Sequence, residues 1–124
     1  MATEQLTDLQ LAVMRAVWQV GEGTVGDVLA ALATDERELA PTTVATLLQR
    51  LSKQGWVAYR KSGRQFLYRA AVEKKDAARS GLQRVLRAFF GGKASLLTAQ
   101  LLETERLTAA EVAALKKLLD QKGR

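Results

Sequence analysis

The stretch PTTVATLLQRLSKQG, residues 41–55, carries four large apolar side chains and no acid. Set around a helix axis at about 100° per residue, Val44, Leu47, Leu48 and Leu51 fall within one narrow arc. Thr42, Thr46, Gln49, Arg50 and Lys53 occupy the opposite arc, with Thr43 at its edge. Pro41 suits a first helical turn and Gly55 a stop, so the spacing predicts a helix from Pro41 to Gln54. One side of that helix is core. The other offers hydroxyls, amides and two cations, where an ordinary solvent face would carry a Glu or Asp for solubility and i,i+4 pairing. An acid facing phosphates would be repelled. The threonine methyl meets thymine, and Arg and Gln match purine edges in the major groove. Thr42, Thr43, Thr46, Gln49, Arg50 and Lys53 are therefore the candidate DNA-reading residues.

Charge is distributed to the same effect. The net charge of the 124-residue chain is +6. Residues 1–40 hold two cations against seven acids, whereas residues 41–70 hold six cations and no acid. Residues 71–93 add six cations against Glu73 and Asp76. A basic segment beside an acidic one describes a surface aimed at a polyanion, with a solvated cationic face as the plainer alternative.

Upstream, Thr7 is a suitable N-cap for a helix in which Leu9, Val13, Ala16 and Val17 recur at helical spacing, widened by Leu11, Met14 and Trp18. VGEGT, with Gly21 near the C-terminal cap, ends it. Thr24 caps a shorter second helix with Val25, Val28, Leu29 and Leu32 on its apolar side, and ATDERELA is a polar connector. Downstream of Gly55 the apolar period changes from 3.6 to 2. WVAYR and QFLYRA, joined by KSGR, read as a β-hairpin whose Gly63 supplies positive φ. Lys61 and Arg64 flank the tip, with Arg60 and Arg69 on the strands. Three helices and a basic hairpin make the winged helix-turn-helix arrangement, the third helix in the major groove and the wing against the adjacent backbone or minor groove. The same hairpin also serves as a structural ribbon that closes the core.

From Val72 onward the chain is helical again, with Val72, Leu82, Val85, Leu86 and Phe89 forming a stripe that Gly81 interrupts. Leu96, Leu97, Leu101 and Leu102 follow the Gly91–Gly92 pair. Thr108 and Glu111 form a capping-box signature before Val112, Leu115, Leu118 and Leu119. A segment of about fifty residues has too little material for its own core. Two solutions exist: folding back on the winged domain, or intertwining with a second copy. The second is preferred, because the domain at 1–71 is already complete, and a two-fold places two reading helices on two half-sites. The expected architecture is mainly α: a winged-helix DNA-binding domain at 1–71 and a helical dimerisation domain at 72–124. Phe89, Leu97, Leu101, Leu102, Val112, Leu115, Leu118 and Leu119 are the candidate dimer contacts.

Several function classes drop out. The chain has no Cys and no His, which removes disulfides, thiol nucleophiles, thiolate and imidazole metal ligands and the commonest general base. No Gly-rich phosphate loop or Gly-x-Ser-x-Gly elbow supports catalysis. No enzyme activity, cofactor or metal is expected. There is no run of eighteen apolar residues, and MATEQLTDLQ lacks the order of a secretory signal, so a cytoplasmic protein without membrane insertion is expected.

These motifs carry a resemblance. LTDLQLAVMRAVWQVGEGTVGDVLAAL, APTTVATLLQRLSKQGWVAYRKSGRQFLYRA and FFGGKASLLTAQLLETERLTAAEVAALKKLLD resemble the BlaI/MecI penicillinase-repressor family, over about residues 6–120. The resemblance implies a homodimer that binds palindromic operators and blocks transcription. It puts the DNA-contacting stretch on Thr42, Thr43, Thr46 and Arg50, and the wing at Lys61 to Arg64. In antibiotic-responsive members it implies a membrane-bound sensor protease system whose action leads to cleavage in the C-terminal region, with FFGGKASLL as the corresponding neighbourhood here. Copper-responsive members use a cysteine cluster, and its absence excludes a thiolate switch. Two other readings of the residues stand beside a repressor: a winged-helix protein-interaction module and a small-molecule-sensing regulator without a protease switch.

Overall fold

The structure, a computed structural model, describes residues 6–123; Glu4 and Arg124 of the charge count lie outside them. Helix α1 (Asp8–Val20) opens with the expected cap. Thr7 Oγ1 accepts from the Gln10 amide at 3.1 Å, and the Thr7 amide donates to Gln10 Oε1 at 3.0 Å. Gly21 closes it. Helix α2 (Val25–Thr34) repeats the device with Thr24 and Asp27. Helix α3 (Pro41–Lys53) has Pro in its first turn and Gln54 at its C-cap, and Gly55 follows with φ +86°.

Two strands form the wing, β2 (Val57–Ser62) and β3 (Gln65–Ala70), paired antiparallel from Val57↔Ala70 to Ser62↔Gln65. Gly63, at φ +63°, is the first residue of a two-residue turn, which demands positive φ there to match strand twist. The sequence gives no sign of a third strand, yet Glu22–Gly23 adds to the outer edge of β3, with Glu22 opposite Arg69 and Gly23 opposite Tyr68. The sheet order is thus first strand, β3, β2, with the Glu22–Gly23 strand taken as β1.

The core lies among α1, α2, α3 and the inner end of the sheet. Val13, Met14, Val17, Val28, Leu32, Val44, Leu48 and Leu51 are sealed from solvent, and Trp56, Val57 and Tyr68 close it from the wing side. Leu11, placed in the first-helix stripe by its spacing, is instead exposed, so the buried face of α1 is narrower than the sequence implied. Two polar ties brace this unit. Gln10 Nε2 donates to Gln54 Oε1 at 3.4 Å, joining the start of α1 to the end of α3. The Trp18 indole N–H donates to the Val72 carbonyl at 2.9 Å, holding the exit of the wing.

Helices α4 (Lys74–Phe90), α5 (Ala94–Thr104) and α6 (Ala109–Lys122) complete the chain. Gly81 does not break α4, which runs through it. One Gly in a seventeen-residue helix costs about 1 kcal/mol relative to Ala, too little to end it. Thr108 caps α6, its hydroxyl oxygen accepting from the Glu111 amide at 3.1 Å. The chain divides into two compact units between Arg79 and Ser80, inside α4, whereas the boundary drawn from sequence falls at the end of the wing. The later division has a local cause: Val72 and Ala77 pack on the core of the first unit. Among the described residues, no helix is long and apolar enough to cross a membrane.

Gly23 is a steric requirement of this fold. A Cβ there would lie 2.5 Å from Val20 Cγ1 and 2.9 Å from Asp27 Cβ. Gly23→Ala is expected to lower stability by about 1–3 kcal/mol, as overpacking does. A thermal melt with an unchanged midpoint would show that β1 shifts freely.

Candidate nucleic-acid interface

Helix α3 is turned as its sequence demands. Val44, Leu48 and Leu51 are fully buried and Leu47 nearly so, while Thr42, Thr43, Thr46, Gln49, Arg50 and Lys53 are all exposed. Arg50 and Lys53 stand in the last turn, where positive charge also complements the helix dipole. At the other end Ala40 offers no side chain as a cap, so the first amides of α3 remain available to an anion.

Thr46 carries a detail that spacing could not reveal. Its hydroxyl donates to the Thr42 carbonyl at 2.9 Å, one turn back. The proton is committed to the helix, and what Thr46 presents outward is a methyl group and an acceptor lone pair. That suits apolar contact with a thymine methyl better than donation to a base.

The wing adds a second cationic surface. Lys61 and Arg64 are exposed at the tip, on either side of Ser62 and Gly63. The ion pairs among the described residues are Arg15–Asp35, Arg60–Glu22 and Lys75–Glu73, so Arg50, Lys53, Lys61 and Arg64 are all uncommitted to an acid. On one face of the hairpin Tyr59 meets Phe66 edge-on, ring centroids 5.4 Å apart, and Tyr68 at 5.8 Å. Burial, and then neighbouring Tyr59, push the Tyr68 hydroxyl above its ordinary pKa.

Arg60 lies on its strand as expected but has a partner that the sequence did not reveal. It is held by Glu22 through two hydrogen bonds, Nε to Oε2 at 3.0 Å and Nη2 to Oε1 at 2.8 Å. Those bonds hold the Glu22 carboxyl below the usual carboxylate range, against a smaller opposing effect of desolvation and with help from the charges of Arg60 and Arg69. The same bonds raise Arg60. Because the Glu22 pKa is depressed, the pair is intact above the ordinary carboxylate range and is lost as pH falls through the lowered value. Sequence reading missed Glu22 because a two-residue strand has no alternation to detect.

The candidate dimer contacts lie on the C-terminal helices. Phe89 on α4, Leu101 and Leu102 on α5, and Leu115, Leu118 and Leu119 on α6 are exposed, Phe89 at 79 % and Leu119 at 68 %. Leu97 and Val112 are half-buried. No described residue of α4, α5 or α6 is fully buried.

Comparison with known proteins decides the family. The chain matches the penicillinase repressor family over residues 6–121. It belongs to that family. Members are DNA-binding transcriptional repressors, and the winged-helix, mainly helical fold expected from the sequence is the one observed. A penicillinase repressor of Bacillus licheniformis is 26 % identical over 117 residues, covering 94 % of this chain and 91 % of the relative. An uncharacterised 16.5 kDa protein of Latilactobacillus sakei is 30 % identical over 120 residues, covering 97 % of this chain and 82 % of that protein. The solved DNA-binding domain of the repressor BlaI is 30 % identical, with a TM-score of 0.50 over 58 % of this chain and 87 % of that one.

Thr46 offers a test of the reading face. With its hydroxyl proton already engaged, Thr46→Val is expected to keep binding and base preference within about twofold. Thr46→Ser, which deletes the methyl, is expected to relax preference at one position by about 1 kcal/mol, the low end for a base contact. Binding-site selection that ranks Val below Ser would reject the methyl contact.

Proposed function

We propose that this penicillinase repressor family protein is a dimeric, sequence-specific repressor that occupies a palindromic operator and acts by binding rather than by catalysis. Thr42, Thr43, Thr46, Gln49, Arg50 and Lys53 read or grip the major groove, and Lys61 and Arg64 hold the adjacent backbone. The observation that carries this reading is the outward face of α3, which is exposed, acid-free and bears two cations with no acid to pair them. A protein-interaction module would find no use for that combination of free cations and threonine methyl groups on a single helix. The helices at 72–124 join two copies through Phe89, Leu97, Leu101, Leu102, Val112, Leu115, Leu118 and Leu119. What supports this is the apolar surface that one chain leaves uncovered there. A sensor protease system, as the resemblance implies, would reach the exposed connection at Gly91 and Gly92 between α4 and α5.

Genomic footprinting identifies the operator, and titration of that duplex at several salt concentrations tests the mode. Log affinity should fall linearly with log salt, with a slope near −0.9 for each phosphate neutralised. In the same titration Arg50→Ala is expected to lose about 1–3 kcal/mol and to relax base preference. Lys61→Ala should weaken all sequences alike and reduce the slope by about one per protomer. An Arg50→Ala variant that binds as the parent does would remove α3 from the interface.

Leu115→Asp places a charge where an apolar contact between copies is proposed and is expected to dissociate the dimer. Sedimentation that still finds a dimer would take α6 out of the interface.

A further inference from the structure

We propose that Glu22 is a specificity-determining residue that acts by holding Arg60 away from DNA phosphates. This rests on the DNA-binding reading above and adds a restraint on it. Residues 41–70 contain no acid, so the wing read as sequence is wholly cationic. The fold changes that. Strand β1 lays Glu22 beside Arg69, and Arg60 reaches it diagonally across the same face of the sheet. Glu22 is thereby the one acid in the three strands. Both of its oxygens are taken by the Arg60 guanidinium, at 2.8 and 3.0 Å.

A bidentate carboxylate presents to arginine the same fork that a phosphate does. Glu22 therefore competes with the DNA backbone for one guanidinium. If Arg60 turns to a phosphate, it abandons Glu22 and leaves a carboxylate beside the polyanion. If it stays, one cation of the wing contributes nothing to counterion release. Either way backbone affinity is reduced wherever the protein sits. At an operator, base contacts by α3 offset that loss, and at random sequence nothing does. The loss falls unevenly. At an operator the base contacts of α3 fix the register and Arg60 can stay on Glu22. A random-sequence complex depends wholly on backbone contacts, so Glu22 weakens the competing sites more than the operator.

The test measures binding to a random-sequence duplex of about 30 base pairs and to the footprinted operator, across salt concentrations. Glu22→Gln is expected to raise affinity for random duplex about tenfold at low salt. It should steepen the log–log salt slope by about 0.9 per protomer, one more phosphate neutralised. Operator binding should rise less, so that the ratio of operator to random affinity falls. Adding Arg60→Gln should abolish the gain, because the gain passes through that guanidinium. Should Glu22→Gln unfold, as seen by circular dichroism, Glu22→Thr suits a strand position and carries the same expectation. An unchanged slope and affinity in the folded variant would overturn the proposal. So would a loss of affinity, which would mean that Glu22 positions Arg60 for DNA. Parent protein that binds neither duplex would sink the repressor reading instead, which keeps the two failures apart.

Discussion

Burial of Val44, Leu47, Leu48 and Leu51 fixes the rotation of α3 about its own axis, and the functional face depends on that rotation. A helix resting on a core has few degrees of freedom left once its axis is set. Turning α3 by one residue, about 100°, would drive Gln49 or Arg50 into the core and expose two leucines. An unpaired buried amide costs roughly 1–3 kcal/mol, and an unpaired guanidinium far more. The apolar arc is therefore what aims the polar one. Stability and recognition are written on opposite sides of the same thirteen residues, so each constrains the other.

The wing works by a different rule. Its side chains alternate, so register decides which of them share a face. Pairing of Tyr59 with Tyr68 puts both aromatic rings on one side, while Ala58, Arg60, Leu67 and Arg69 share the other. Onto that second side β1 brings Glu22. The acidic first third of the chain and its basic middle, separate in sequence, thus meet at one pair of strands. A segment tally of charge overstates what the wing can offer a polyanion by one arginine.

Much of this was legible in the sequence, for identifiable reasons. The caps at Thr7 and Thr24, the proline start of α3 and its two arcs are local features, set by neighbours three or four residues away. The hairpin was legible because its turn needs a residue such as Gly63. What escaped has a non-local cause. Strand β1 is too short to show a period, and it exists because Tyr68 and Arg69 offer it a free edge. The pairing of Arg60 had no local sign because its partner is 38 residues away. Thr46 was correctly placed on the outward arc, but its hydroxyl bond depends on a rotamer. Leu11 came out exposed because it shares the solvent stripe of α1 with Asp8, Arg15 and Gln19, opposite the arc of Val13 and Val17. Gly81 looked like a break because composition does not tell a tolerated glycine from a stop.

The C-terminal helices pose the remaining physical problem. They are of ordinary length, seventeen, eleven and fourteen residues, and helices of this size are marginal when nothing covers their apolar side. The winged unit has a sealed core of its own and does not share that weakness. Under the proposed dimer the two facts are complementary. Order in α4–α6 then comes from the second copy, so their stability rises with protomer concentration while that of the reading head does not. Joining two heads turns the second half-site contact into an intramolecular event with a high effective concentration. Occupancy of the operator then depends on the join more steeply than on either head. Any event that separates the copies, a cut between α4 and α5 included, would release DNA and leave α3 and its aimed face intact.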